Sequence, residues 1–233
     1  MKPNPEQLQS LCEQIDLVLL PEADIRSLNG DDPVQVSNIP AGWDVIGAGN
    51  YAVVFSHKQY ANLAVKVYAT GRKGLEDEAE VYRRLGKHPA YSECYCVGRG
   101  YLVMKRLPGV TLYHCFRQGI SIPQSVLDDI DEALMYASMR GLTPRDIHGK
   151  NVMYDGSRGY VVDVSDFLIP QPDRMWKDFK RAYKLLYKPL GLKWGVPVPE
   201  WLLELLRKGY QIYRRRTAVS TNPRDKGGNE SMR

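Results

Sequence analysis

The chain has 233 residues, 43% of them hydrophobic and 25% charged, with 32 Lys and Arg against 27 Asp and Glu. This composition excludes a wholly disordered chain, and the length predicts one large domain or two modest lobes. No apolar run approaches the roughly 20 residues of a membrane-spanning helix, and the first residues lack the apolar core of a secretory signal, so we expect no membrane span and a cytoplasmic location, or delivery into a host cell if the protein is an effector.

The first half of the chain alternates helical and strand patterns. Apolar residues at helical spacing predict a helix over residues 5–20. Short β-rich runs with tight polar connections between residues 43 and 68 predict an antiparallel meander. A charged amphipathic helix is predicted over residues 74–86, and a further strand over residues 101–104.

The second half is mainly helical. A clear amphipathic pattern predicts a helix over residues 123–139, and further helices are predicted at 173–188 and 198–213. Between them, residues 151–164 read as a β-hairpin with a Gly-rich turn. The whole pattern predicts an α+β fold with a β-rich half followed by an α-rich half.

The net charge of +5 is concentrated at the end of the chain. Residues 214–233 carry a net charge of +4, so the rest of the chain carries only +1. Without apolar periodicity, this basic tail is predicted to be disordered, and it could contact an anionic partner. The body shows no strong signal for binding nucleic acid.

The four cysteines are too few for a disulfide-stapled scaffold in a chain of this length. Cys94 and Cys96 lack the second Cys or His pair of a zinc site. We therefore expect reduced thiols, as in cytosolic proteins, at Cys12, Cys94, Cys96 and Cys115.

The first motif that could carry chemistry is Gly47-Ala-Gly49, between two strand segments. Glycines at this spacing let the backbone approach phosphate oxygens closely. The element that follows is a strand, which argues against a dinucleotide-binding fingerprint, since that motif leads into a helix. A simple hairpin turn is the alternative interpretation.

The second motif is Lys66, which lies inside the apolar run Ala64-Val65-Lys66-Val67. A buried lysine needs a partner because desolvating its charge is costly. The partner could be a polyanion together with a carboxylate from the acidic run Glu76-Asp-Glu78-Ala-Glu80. The alternatives are an exposed edge position for the lysine and a solvated helix face for the acidic run.

The third motif is the strongest. Asp146 and Asn151 lie in the loop before the predicted hairpin, and Asp163 ends its second strand. Three oxygen-bearing side chains at one hairpin base suit Mg²⁺, which prefers oxygen ligands together with substrate phosphates. The alternative is a polar loop with turn-forming Asp and Asn.

Taken together, these parts resemble the protein kinase superfamily, whose signature is a Gly-rich loop, a strand lysine, a helix glutamate, a catalytic loop and a metal-binding aspartate in this order. The resemblance implies a two-lobed fold with a small antiparallel sheet and one helix in the N-lobe. It divides the chain into an N-terminal extension (1–40), an N-lobe (41–106), a helical C-lobe (107–213) and the basic tail (214–233).

The resemblance also implies roles for the matched residues and ATP and Mg²⁺ as cofactors. Asp146 matches the catalytic aspartate, and Asn151 and Asp163 match the metal-binding residues. Lys66 would hold the α- and β-phosphates with Glu78 as its helix partner, and Glu80 is the second candidate for that partner. The implied nucleotide contacts are completed by Gly47, Gly49, Val54, Ala64, Met104, Lys105 and Leu107.

Several features depart from the signature. Pro144 replaces the usual histidine, and the catalytic loop is similar to those of RIO-like and aminoglycoside-phosphotransferase-like members. Asp166-Phe167 is a second candidate for the metal aspartate, but Asp163 directly follows the apolar strand and is preferred. Only fourteen residues separate Asp163 from Asp178, which matches the helix aspartate that braces the catalytic loop. A regular activation segment does not fit there, so control by its phosphorylation is not expected.

These features predict an ATP- and Mg²⁺-dependent kinase that acts on Ser/Thr hydroxyls of a protein substrate. A small-molecule kinase and a kinase-fold scaffold are the alternatives. A scaffold could act through the N-terminal extension or the basic tail.

Overall fold

The computed structural model describes residues 2–27, 32–190, 195, 197–203 and 205. It begins with helix α1 (Pro5–Gln14), which continues through a π-helical turn (Ile15–Leu19) into a short helical segment (Leu20–Glu22). A capping box starts α1, since the Asn4 side chain accepts from the backbone N–H of Gln7 and the Gln7 side chain accepts from the N–H of Asn4. The helix predicted over residues 5–20 is confirmed.

A small hairpin of two strands and an antiparallel sheet of five strands follow. The strands, in chain order, are β1 (Asp24–Arg26), β2 (Gln35–Ser37), β3 (Trp43–Ala48), β4 (Ala52–His57), β5 (Leu63–Tyr68), β6 (Cys94–Val97) and β7 (Tyr101–Lys105). The hairpin pairs β1 with β2, and the strand order of the larger sheet is β3-β4-β5-β7-β6. The predicted meander and the strand at 101–104 are therefore confirmed, whereas β6 was not predicted from the sequence.

Helix α2 (Leu75–Leu85) is the single long helix between the strands of this sheet. Gly74 precedes it with a φ of 119°, a left-handed conformation that glycine adopts without strain. The helix buries Leu75, Val81 and Leu85 on one face, together with Glu78. A carboxylate on a buried face needs compensating partners.

Side chains alternate between the two faces of the sheet. The back face carries an apolar cluster with Val53, Phe55, Val65, Val67 and Val103. Helix α1 and the π-helical turn cover this face, and Leu11, Ile15 and Leu19 are completely buried there. The front face carries Leu102 and Met104, which join the core shared with α2 and the C-terminal part.

The C-terminal part is mainly helical around a small three-stranded sheet. Its elements are β8 (Val110–Thr111), α3 (Leu112–Gln118), α4 (Gln124–Met139), β9 (Val152–Tyr154), β10 (Gly159–Val161) and α5 (Met175–Ala182), which continues through a π-helical turn (Tyr183–Tyr187) and Lys188–Leu190. The strand order is β10-β9-β8. Helix α4 packs against β10 and buries Val126, Leu127, Ile130, Ala133 and Ala137.

The predicted hairpin and the helices at 123–139 and 173–188 are present. Of the helix predicted at 198–213, residues 200–203 are helical and most of the rest lies outside the described residues, as does the basic tail 214–233. None of the helices in the described ranges is both long and apolar enough to cross a membrane. The fold is α+β and two-lobed, as the sequence predicts.

Candidate active site

Lys66 lies at the centre of a buried ionic cluster between the two lobes. Strand β5 presents it on the front face of the sheet, where its Nζ is 2.7 Å from Glu78 Oε2 and 3.3 Å from Asp163 Oδ1. Its side chain is 10% exposed and that of Glu78 is 0% exposed. Lys66 and Asp163, which are 97 positions apart in the sequence, are therefore in direct contact.

The charges in this cluster stabilise one another. Burial opposes the charge of Lys66, but Asp163 and Glu78 outweigh it and raise the lysine pKa well above its usual value. Burial also opposes ionisation of Asp163, yet Lys66 and the N–H of Ser165 hold its pKa below the usual range. For Glu78, burial dominates over the attraction of Lys66 and raises the pKa. Lys66 therefore stays a cation at neutral pH.

The structure distinguishes between the two candidate glutamates of α2. Glu78 faces Lys66, whereas Glu80 lies on the surface and pairs with Arg83 and Arg84. Side-chain hydrogen bonds from those two arginines lower the Glu80 pKa to about 2. Glu80 is thus part of a solvated helix face, and Glu78 is the residue brought to the lysine.

Asp146 has an unusual backbone conformation. Its φ is 56°, a left-handed value that is uncommon for a residue other than glycine and that is often held in place at functional sites. Its N–H donates to Asp173 Oδ2 at 2.8 Å, so a carboxylate fixes the loop in this conformation. The Asp146 side chain is 44% exposed and therefore accessible to a substrate.

Asn151 links this loop to the hairpin. Its Nδ2 donates to the backbone oxygen of Asp146 at 3.0 Å, and its own backbone oxygen accepts from Val162 N–H at 3.1 Å. The hydrogen bond to Asp146 orients the amide and leaves Oδ1 without a hydrogen bond from any of the described residues. Asp163 follows Val162 directly, so the loop, the hairpin and the ionic cluster are connected through backbone contacts.

His148 lies beside Asp146, with its Nε2 3.8 Å from Asp146 Oδ2. Burial is the largest influence on His148 and lowers its pKa. The imidazole is therefore neutral at pH 7, and its Nδ1 accepts from Lys150 N–H at 3.2 Å.

The two candidate metal aspartates occupy different surroundings. Asp163 contacts Lys66, whereas Asp166 is influenced by Arg145, and burial raises the Asp166 pKa. Only Asp163 thus belongs to the ionic cluster of the described residues.

The Gly47–Gly49 turn lies at the edge of the front face. A β-bulge between Val45 and Gly47 shifts the register, so that Gly47 pairs with Val54, which in turn pairs with Lys66. A Cβ at either glycine would meet no atom nearer than 3.8 Å beyond its chain neighbours. Protein packing therefore does not require glycine here, although the approach of a phosphate would.

Two of the remaining nucleotide candidates, Ala64 and Met104, lie on the same face of the sheet as Lys66. Ala64 pairs with Met104, one row from the Val54–Lys66 pair. The backbone of Lys105 is already engaged, because its N–H donates to Glu93 and its carbonyl accepts from Ser92 Oγ. Leu107 follows with a buried side chain.

Three contributors to the site were not found from the sequence. Tyr68 donates to Glu78 Oε2, Asp173 holds the Asp146 loop, and Val34 N–H donates to Gly49 O at 2.8 Å. Asp173 makes its hydrogen bond to the Asp146 backbone from just before α5, and the bracing role of Asp178 stays a prediction. None of these residues has a distinctive local sequence pattern.

The described residues contain no cluster of three or more His, Cys, Asp or Glu side chains that could hold a metal. A pair such as Asn151 and Asp163 is nevertheless sufficient for Mg²⁺, which keeps several waters and binds one or two protein ligands together with substrate phosphates. The donor set therefore fits a metal that arrives with a phosphate ligand.

A two-lobed α+β fold with a charged lysine–glutamate–aspartate cluster between the lobes defines a protein of the kinase-like class. A protein of Bacillus subtilis (strain 168), named "Putative serine/threonine-protein kinase YrzF", is 32% identical over 170 residues, which span 70% of this chain and 76% of the relative. No family model matches the chain. The chain belongs to the protein kinase-like family.

Proposed function

We propose that this protein is an ATP- and Mg²⁺-dependent kinase that transfers the γ-phosphoryl group to Ser/Thr hydroxyls of a protein substrate in the cytoplasm. The observation that carries the proposal is the position of Lys66 between Glu78 and Asp163, at 2.7 and 3.3 Å. An ammonium group fixed between two carboxylates on the front face of the sheet is suited to meet a polyanion.

In this proposal, Lys66 contacts the α- and β-phosphates while Glu78 holds it from behind. Asn151 and Asp163 would hold Mg²⁺, and the metal would supply neutralisation of charge on the phosphates. Gly47 and Gly49 let the backbone approach the phosphates closely. Phosphoryl transfer depends mainly on such positioning and electrostatic stabilisation.

Asp146 would act at the acceptor. Its exposed carboxylate would orient the substrate hydroxyl and accept its proton as the oxygen bonds to the γ-phosphorus and the bond to the β-phosphate oxygen breaks. Asp173 and Asn151 keep this carboxylate in position through their hydrogen bonds to the Asp146 backbone.

The adenine base of ATP would lie in the cleft lined by Val54, Ala64 and Met104. The backbone around Leu107 would form hydrogen bonds with the edge of the adenine. Because the N–H and carbonyl of Lys105 both have protein partners, we assign the contacts with the base to Leu107 rather than to Lys105.

The name of the Bacillus relative favours a protein substrate. The catalytic loop, which is similar to those of aminoglycoside-phosphotransferase-like members, keeps a small-molecule substrate as the second candidate. The basic tail is assigned to contact with an anionic partner.

The test is incubation of the purified protein with radiolabelled ATP, with and without Mg²⁺, in a cell lysate and with a generic protein substrate. We expect Mg²⁺-dependent labelling of protein. Label confined to small molecules would favour the second candidate, and nucleotide binding without any transfer would favour a scaffold.

A matched pair of variants tests the metal site. Asp163→Asn should abolish both transfer and the Mg²⁺-dependent thermal stabilisation by ATP, whereas Asp166→Asn should retain both. The opposite result would reassign the metal aspartate to Asp166.

A further inference from the structure

Tyr68 makes a contact in the ionic cluster that the proposed kinase function does not itself explain. It follows Lys66 by two residues in β5, so both side chains lie on the front face of the sheet. Its hydroxyl donates to Glu78 Oε2, the same oxygen that pairs with Lys66 Nζ. The Tyr68 ring also lies below that ammonium, whose Nζ is 5.7 Å from the ring centroid.

Glu78 depends on these two donors. Its carboxylate is completely buried, and its second oxygen, Oε1, is buried without a hydrogen-bond partner among the described residues. Lys66 pairs with both Glu78 and Asp163, whereas the Tyr68 hydroxyl is a neutral donor that contacts only Glu78 of these two carboxylates. When Lys66 turns toward a polyanion, Tyr68 remains to hold the carboxylate.

Tyr68 also reaches the beginning of α2. Its hydroxyl oxygen is 3.4 Å from the carbonyl oxygen of Gly74, the residue that caps the helix. One side chain of the sheet thereby contacts both the start of α2 and the glutamate in the first turn of that helix. These contacts connect α2 to β5 beside the Lys66–Glu78 pair.

We propose that Tyr68 is a positioning residue, whose hydroxyl fixes the Glu78 carboxylate and through it the ammonium of Lys66 for phosphoryl transfer. The inference rests on the proposed kinase function and adds to it a residue outside the matched motifs. A purely structural role would instead come from the aromatic ring, which is 8% exposed and packs in the core shared with α2.

Tyr68→Phe separates the two roles because it keeps the ring and removes only the hydroxyl. We expect kcat to fall about tenfold with a smaller change in KM for ATP, since a misplaced Lys66 loses more stabilisation in the transition state than in the ground state. The control is Tyr91→Phe, which removes another buried hydroxyl, one that donates to Ala133 O at 2.8 Å. Tyr91→Phe should leave kcat unchanged.

A double-mutant cycle with Glu78→Met tests whether Tyr68 acts through Glu78. Methionine fills a similar volume and has no carboxylate to accept the bond. In the Glu78→Met background, Tyr68→Phe should change kcat less than twofold. An unchanged kcat in the single variant Tyr68→Phe, or effects of the two variants that multiply, would overturn the proposal.

The same cycle measured by urea unfolding distinguishes failure of this inference from failure of the proposed function. If the wild type transfers no phosphate, the kinase function fails and the positioning role for transfer is overturned with it. The Tyr68–Glu78 hydrogen bond can then still be measured from the equilibrium constant of unfolding. Tyr68→Phe should raise this constant about tenfold in the wild-type background and only slightly in the Glu78→Met background. If the wild type is active but the effects of Tyr68→Phe and Glu78→Met are additive, the positioning role of Tyr68 fails and the proposed kinase function stands.

Discussion

The two faces of the five-stranded sheet are both buried but differ in what they bury. On the back, Val65 and Val67 of β5 pack with α1 in a mainly apolar layer. On the front, Lys66 and Tyr68 of the same strand meet Glu78 and, across the cleft, Asp163. One strand thus contributes to stability through its odd-numbered residues and to the candidate chemistry through its even-numbered ones.

This difference teaches that burial alone does not mark a core. All six residues of β5 are buried. Its sequence is therefore not an alternation of apolar and polar residues, and Lys66 is its one charged residue. We expect changes on the back face to lower stability only, and loss of the charges on the front face to lower the proposed activity. The following predictions test that separation.

The largest effect is expected from Lys66→Met on the front face. Removing a preorganised charge stabiliser typically costs roughly 10²–10³ in rate, or about 2.7–4 kcal/mol. Transfer to protein substrate, measured with radiolabelled ATP, should fall by that factor while circular dichroism shows a folded protein. Lys58→Met, at an exposed lysine, is the control and should keep full activity. Full activity in Lys66→Met would remove the front face from the chemistry.

A comparably large effect of a different kind is expected on the back face. Leu11→Ala in α1 removes a completely buried side chain and should lower the free energy of unfolding by roughly 2–5 kcal/mol, as measured in urea. Leu17→Ala, at a leucine that is 75% exposed, should change it by less than about 0.5 kcal/mol. In conditions where Leu11→Ala is folded, its kcat should equal that of the wild type. A selective loss of kcat would show that the two faces are coupled.

An intermediate effect is expected where a carboxylate supports the loop across the cleft. Asp173→Ala leaves the N–H of Asp146 without its acceptor and should lower kcat about tenfold through the displaced Asp146 carboxylate. Asp178→Ala is the comparison variant and should lower kcat less. A greater loss of kcat in Asp178→Ala than in Asp173→Ala would show that the aspartate of α5 supports the loop.

The smallest effect concerns two thiols on opposite faces of β6. Burial raises the pKa of Cys94 to about 11, and burial together with the Cys12 thiol raises the pKa of Cys96 to about 12. Both pKa values lie above the usual 8.5 or so of a free thiol, so these groups contribute stability that is complete below about pH 8.5 and lost as the pH rises toward 11–12. At pH 8 both should react slowly with iodoacetamide, as followed by mass spectrometry.

Leu11→Ala sharpens this last prediction, because it loosens α1 above Cys96 on the back face. Alkylation of Cys96 should accelerate while that of Cys94, which pairs with Met104 on the front face, should not. Equal acceleration at both thiols would indicate global unfolding instead of local loosening of α1.

Much of the fold was predictable because local sequence patterns indicate its helices and strands. The short β-rich runs with polar connections in residues 43–68 and the 3.6-residue periodicity in α2 and α4 depend on residues that are neighbours in the chain. Strand β6 was missed because Cys94-Tyr-Cys-Val97 is short and interrupted by a bulge. A one-residue register shift of this kind cannot be recognised without the partner strand.

For the candidate site, the residue types and spacings of Lys66, Asp146, Asn151 and Asp163 were sufficient to name them from the sequence. The choice between Glu78 and Glu80 depended on which side of α2 faces the sheet, and only the packed helix shows this. Tyr68 and Asp173 carry no pattern of their own, since a tyrosine in a strand and an aspartate before a helix are common in any fold.

By itself, the sequence determined the order of the helices and strands and the set of chemistry-bearing residues, because both depend on periodicity and spacing along the chain. Only the tertiary structure decided which of these residues form ion pairs with one another. Lys66, Glu78 and Asp163 come from a strand, a helix and the end of a hairpin, and they pair because folding brings Asp163 to the buried Lys66 and Glu78. In that buried setting an unpaired charge is costly, so the contacts among distant residues, and not the local sequence, set the electrostatics of the site.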